Sequence, residues 1–110
     1  MHGRIEQHAA RFMALGNPIR LSILRLLVQG REDGTSAGSI QEGIGIPAST
    51  LSHHLACLSE AGLVLVERAG TTSYRPDFGT LHQLTDYLWE DRCRGGRTGV
   101  AGPDCCVPRR

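Results

Sequence analysis

Pro47–Gly62 reads PASTLSHHLACLSEAG and runs directly into LVLVER at Leu63–Arg68. Leu51, Leu55 and Leu58 stand at i, i+4 and i+7, which makes one apolar stripe on a helix. Ser49, Thr50, Ser52 and His53 fall on the other side, all of them small or medium-sized hydrogen-bonding residues. Gly62 occupies the place where a left-handed residue ends a helix. A helix with a packed back and a short polar front suits a DNA major groove, and this reading outranks an ordinary amphipathic surface helix. Pro47 sets φ near the start. No Ser, Thr or Asp precedes it, so Ser49 or Thr50 is the expected cap, with the helix start shifted by a residue or two. His54 and Cys57 lie at the edge of the apolar stripe and are read as packing residues.

Upstream, Arg4–Leu15 reads as a helix with Ile5, Ala9, Phe12 and Met13 on one face. Asn17-Pro18 is a start signal, Asn as cap and Pro at the first helical position. The second helix, Pro18–Gln29, carries Ile19, Ile23, Leu24 and Leu27 and is closed by Gly30. Leu21, Leu26 and Val28 widen its stripe, which predicts burial on most sides. After a polar loop at Arg31–Gly34, Ser36–Gly43 forms a short helix anchored by Ile40, and Gly38 costs it about 1 kcal/mol relative to Ala. Gly43–Ile46 supplies the turn before the Pro47 helix.

Downstream, Leu63–Arg68 and Thr71–Arg75 flank Ala69-Gly70 and read as a hairpin that Pro76 ends. Phe78–Arg92 reads as a last helix, with Leu81, Leu84, Thr85 and Leu88 at helical spacing and Trp89 beside them. The composition then changes to RGGRTGVAGPDCCVPRR at 94–110, where four Gly and two Pro in seventeen residues argue against helix or strand. Residues 1–92 are therefore expected to form one folded domain and 93–110 a flexible Cys-containing tail.

The totals bound the function. A chain of 110 residues with 40% hydrophobic content supports one domain with a modest core, and pairing into a dimer is a common way to enlarge it. No apolar run reaches the roughly 20 residues of a membrane span. MHGRIEQHAARF lacks the features of a signal peptide, so a cytoplasmic location is expected. All twelve basic residues are Arg. Residues 91–110 hold five Arg against two Asp, a balance of +3, and residues 1–90 hold seven Arg against nine acids, a balance of −2. A strongly basic nucleic-acid footprint is absent, so DNA binding must come from a few placed Arg and dimer geometry. Of the four Cys (Cys57, Cys93, Cys105, Cys106), three lie in the last eighteen residues. In a reducing compartment such a cluster points to metal binding or redox sensing. No Cys-x-x-Cys and no Ser/His/Asp ordering suggests an enzyme.

The order helix, helix, short helix, polar-fronted helix, hairpin, helix is that of a winged helix-turn-helix, a mainly α fold with a β-hairpin. Within it NPIRLSILRLL at 17–27 and STLSHHLACLSEAGLVLVERAGTTSYR at 49–75 resemble the ArsR/SmtB family of metal-responsive repressors. The resemblance covers about residues 8–90. It implies a homodimer, paired through the first and last helices, that binds double-stranded operator DNA and dissociates when a ligand binds. Ser49, Thr50, Ser52 and His53 would then face bases or phosphates, and Arg68 and Arg75 on the hairpin would reach the backbone or minor groove. The family commonly places a basic residue just after the wing Gly. Here Thr71 follows Gly70, which implies weaker anchoring at the tip.

The family's sensor sites occupy several positions. The Cys-x-Cys of the third helix is replaced here by Ser36-Ala37-Gly38-Ser39, and Asp77, His82, Asp86 and Glu90 do not keep the zinc-type spacing of the last helix. Cys93, Cys105 and Cys106 remain, and some family members bind arsenic through such C-terminal Cys. Thiolates select soft ions, and trivalent arsenic takes three sulfurs in a pyramid, whereas structural Zn²⁺ takes four tetrahedral ligands. Arg92, Arg94, Arg109 and Arg110 favour the thiolate form. Trivalent arsenic, as arsenite or methylarsenite, is the expected inducer. Methylarsenite would need Cys105 and Cys106 alone, and antimonite would bind like arsenite. The alternatives are a thiol redox or persulfide sensor on the same fold, and a DNA-binding protein without a small ligand that meets protein partners through its tail.

Overall fold

The computed structural model describes residues 2–90, His2 by its backbone alone. Two helices come first, α1 (His2–Leu15) and α2 (Pro18–Val28). A two-residue strand β1 (Thr35–Ser36) leads into α3 (Ala37–Ile44) and α4 (Ala48–Glu60). The wing, β2 (Val64–Ala69) and β3 (Thr71–Pro76), precedes α5 (Phe78–Trp89). The three strands form one antiparallel sheet in the order β1-β3-β2.

The end signals at Asn17-Pro18 and Gly62 act where expected, and Ser36 and Asp77 add two caps that the sequence reading did not assign. Asn17 Oδ1 accepts from the Ile19 and Arg20 amides at 2.9 and 3.1 Å, with Pro18 in the first turn. Ser36 Oγ accepts from Ser39 N at 3.2 Å to start α3, and Asp77 Oδ1 accepts from Thr80 N at 3.1 Å to start α5. At the end of α4, Gly62 has φ 79°, its amide donates to Ser59 O, and the Leu63 amide donates to Leu58 O. That pair of bonds is a Schellman closure, which turns the chain sharply from α4 into β2. Asp77 N donates to Leu63 O at 2.9 Å and ties the base of the wing to the same point.

Several boundaries and faces differ from expectation. Pro47 itself is the N-cap of α4 and makes no side-chain cap bond, so neither Ser49 nor Thr50 caps the helix. The proline ring holds φ at −62° and the extended ψ of 152° lets the chain enter without a polar cap. Helix α3 runs through Ile44 and turns at Gly45, one residue beyond the expected end. β1 adds a third strand to the hairpin, pairing Thr35 with Tyr74 and Ser36 with Ser73. Helix α2 is not buried on most sides: Ile23, Leu24 and Leu27 are buried, but Leu21 and Val28 are exposed. Asp91 and Arg92, the expected last residues of α5, lie outside the described residues, and within them Glu90 is the C-cap.

The core sits where α2, α3, α4 and the base of the wing meet, with α5 closing it through Leu84. Ile23, Leu27, Ile40, Leu58, Leu63 and Leu84 are essentially inaccessible. Each contributes about 1.5–3 kcal/mol of burial free energy, so these six fix where α4 lies.

Candidate nucleic-acid interface

The inner face of α4 buries Leu51, His54, Leu55 and Leu58. Its outer face leaves Ala48, Ser49, Ser52, His53 and Ala56 exposed, with Thr50 half-buried at the border. The structure thus brings Ser49, Thr50, Ser52 and His53 together along the first two turns. The uncapped start matters chemically. The first helical bond inside α4 runs from Leu51 N to Pro47 O at 3.0 Å, and no side chain caps the turn before it. Outward-pointing amides at a helix N-terminus are an anion site suited to a phosphate.

The wing divides the two arginines. Arg68 pairs with Thr72 and Leu65 with Arg75, and strand residues alternate sides. Arg68 therefore shares the face of Val66 and Tyr74, which turns toward α4, and it lines a cleft of about 300 Å³ with Ser52, Ala56 and Ser59. Arg75 lies on the opposite face, beside Glu67 at 3.7 Å and against the β1 loop at Gly34. Arg68 joins the α4 surface and Arg75 does not. Glu60 lines the same cleft as Arg68 and sets a carboxylate against any phosphate entering deeply there. The tip carries Gly70 and an exposed Thr71, with no cation at either position.

The back of α4 is held by polar ties absent from any apolar pattern. Arg20 of α2 donates from Nε to Ala14 O at 2.7 Å and meets His54 Nδ1 through Nη1 at 3.2 Å. Arg11 of α1 donates from Nε to Ala61 O at 3.0 Å, at the C-cap of α4. Burial, then the charges of Arg20 and His53, hold the His54 imidazole below its usual 6.5. No stripe or spacing marks Arg20 or Arg11 as partners of α4. The available signals were a polar His in an otherwise apolar inner face and an Arg three residues after a cap.

Helices α1 and α5 meet through a His8–Tyr87 ring stack at 4.1 Å and an Arg4–Glu90 ion pair. Away from that contact, Ile5 and Met13 on α1 and Leu88 and Trp89 on α5 are exposed. Cys57 is a half-buried free thiol packed against the core. Among the described residues no group of three His, Cys, Asp or Glu could hold a metal ion, and His82 is exposed. Cys93, Cys105 and Cys106, the expected arsenic ligands, lie outside the described residues. No helix among the described residues is long and apolar enough to cross a membrane.

Residues 15–67 match the family model for a helix-turn-helix domain. A helix-turn-helix transcriptional regulator of Methanocaldococcus jannaschii, itself uncharacterised, is 38% identical over 72 residues, which is 64% of this chain and 78% of the relative. A protein of Streptomyces lividans described as a "probable mercury resistance operon repressor" is 33% identical over 96 residues, 87% of this chain and 72% of the relative. Among solved structures, the homodimeric winged helix-turn-helix DNA-binding domain of a "possible ArsR-family transcriptional regulator" from Mycobacterium bovis superposes with a TM-score of 0.65. It is 30% identical, with 86% of this chain and 88% of that one covered.

Proposed function

Because the chain belongs to the ArsR family of winged helix-turn-helix transcriptional regulators, we propose that it is a homodimeric repressor released from operator DNA by trivalent arsenic. The observation that carries the DNA half is α4: a back fixed by Leu51, Leu55 and Leu58, a front of Ser49, Thr50, Ser52 and His53, and an uncapped N-terminus. In the major groove these hydroxyls and the imidazole read base edges or phosphates, while the open amides take a phosphate. Arg68 reaches the adjacent backbone from across the cleft. The exposed Ile5, Met13, Leu88 and Trp89 form the pairing surface between two copies. That surface supports the dimer by analogy with the homodimeric relative. A dimer doubles the helix–DNA contacts, which matters for a domain body with a balance of −2.

The inducer half rests on thiol chemistry. Cys93, Cys105 and Cys106 supply the three sulfurs trivalent arsenic requires, and the arginines around them favour thiolates. The description of the Streptomyces relative, mercury resistance, concerns another thiophilic ion and supports a soft-metal sensor in this lineage. Release requires arsenic to bind the free form more tightly than the DNA-bound form. The test is a gel shift on wild type and on Cys105→Ser/Cys106→Ser with arsenite, methylarsenite, antimonite, Hg²⁺ and peroxide. Arsenite should release wild type and leave the double variant bound. Normal release of the double variant by arsenite refutes the sensor assignment, and release by peroxide alone establishes the redox reading instead.

A further inference from the structure

We propose that Arg20 is a positioning residue for the recognition helix, setting the angle of α4 against α1 by bonding Ala14 and His54 at once. This inference rests on the DNA-binding reading above. One planar guanidinium makes both contacts, 2.7 Å to Ala14 O and 3.2 Å to His54 Nδ1, so the spacing between the end of α1 and the middle of α4 is fixed by a rigid fork. The base of that side chain is itself held, because the Arg20 amide donates to Asn17 Oδ1. Seven residues beyond His54, two helical turns on, Arg11 ties α1 to Ala61 O. Between the two ties the α1–α4 seam packs Ala14 into the core but stays open along its outer side. A cleft of about 340 Å³ opens there among Ala10, Met13, Ala14, Cys57, Glu60 and Ala61. Directional bonds therefore add to the apolar contact through Ala14 in registering the two helices. Helix α1 also bears the exposed Ile5 and Met13, so a change in how two copies meet is passed to the DNA-reading helix through these bonds.

The chemistry selects one state of His54. A guanidinium has only donors, so Nδ1 must hold a lone pair and the proton sits on Nε2. The charged or titratable groups facing the ring are Arg20 from α2 and His53 from its own helix, with Glu60 the acid in the adjoining cleft. Burial first, and then the Arg20 charge beside it, keep the ring neutral at neutral pH. Protonation removes the acceptor and sets a second cation against Arg20, which breaks the tie.

The experiment uses the full chain and a duplex enriched by the wild-type protein from a random-sequence pool, with affinity followed by fluorescence anisotropy from about pH 5 to about pH 8. His54→Asn keeps an acceptor near the Nδ1 position and cannot titrate. It should bind within about twofold of wild type at neutral pH and lose the acid-side weakening. His54→Leu and Arg20→Met keep bulk without the bond and should bind about tenfold more weakly, with dimerisation and far-UV dichroism unchanged. Wild-type affinity in either, or an unaltered acid-side loss in His54→Asn, overturns the proposal. Should Arg20→Met fail to fold, the His54 pair still decides. Ring ¹⁵N shifts of wild type provide a readout that needs no DNA, and a proton found on Nδ1 rather than Nε2 also overturns it. If wild type enriches no duplex, the DNA-binding reading fails first and takes this inference with it, an outcome distinct from any variant effect.

Discussion

The division of the wing arginines makes a quantitative prediction about salt. Each phosphate neutralised by a cation contributes about −0.9 to the slope of log K against log salt on B-DNA. Arg68 is exposed on the α4 side of the wing, and a dimer presents it twice. Arg68→Ala should therefore flatten the slope by about 2 and, at about 0.1 M salt, weaken binding by roughly 60-fold. The loss should be equal on related and unrelated sequences, because a phosphate contact carries no base information. Arg75 faces away and lies 3.7 Å from Glu67, so Arg75→Ala should leave the slope unchanged. The assay is anisotropy titration of a labelled duplex at four or more salt concentrations for wild type and both variants. If Arg75→Ala flattens the slope as much as Arg68→Ala, the assignment of the two faces is wrong. A sequence-dependent loss in Arg68→Ala would show that it reads a base instead.

Four further outcomes follow from the structure. Leu58 is inaccessible at the centre of the α4 packing, so Leu58→Ala should destabilise the fold by about 2–5 kcal/mol in denaturant titration. Asn17→Ala removes the acceptor of two amides at the start of α2 and should cost about 1 kcal/mol by the same measurement. Replacing exposed Met13 and Leu88 together by Glu should leave helical content intact and shift sedimentation to the monomer if these residues form the pairing surface. The lowered His54 pKa gives stability a definite pH direction. Below the ordinary value of 6.5 the unfolded chain takes up the proton first, so thermal stability should fall as pH drops through that region. His54→Asn should show a smaller acid-side fall, and an equal fall would assign the effect to another group.

Much of this fold was legible because its signals are local. Asn17-Pro18 and Gly62 after a helical stripe each act on the nearest few bonds, and each marks an element end in the structure. The outer face of α4 was legible for the same reason, since 3.6-residue spacing assigns Ser49, Ser52 and His53 to one side whatever surrounds them. What escaped depends on distant chain. The two-residue β1 is too short for a period and exists only because Tyr74 and Ser73 lie beside it. The sides taken by Arg68 and Arg75 depend on the turn at Gly70, where Ala69 faces Thr71, and a one-residue slip would put both on one side. The Arg20–His54 bond spans 34 residues between two helices whose approach is set by the core. An apolar stripe such as Ile5 and Met13 reads the same whether it meets its own core or another copy, so the period of α1 by itself did not say that both residues stay exposed within one chain.

Helix α4 is supported unequally along its length. Its C-terminal end is clamped by the Schellman bonds at Gly62 and by Arg11 on Ala61, its middle is tied by Arg20, and its first turn has no polar tie or cap and is held by Leu51 in the core. Mechanically it is a lever whose polar ties lie toward its base, while the end that would enter the groove is held by packing alone, that of Leu51 among its first four residues. Thirteen residues span about 20 Å, so tilting the clamp by about 10° displaces that tip by roughly 3 Å, the length of a hydrogen bond. A regulator built this way needs no large rearrangement to lose its grip: a tilt of that size, with Leu51 resettling in the core, is enough to take every base contact at the tip out of range.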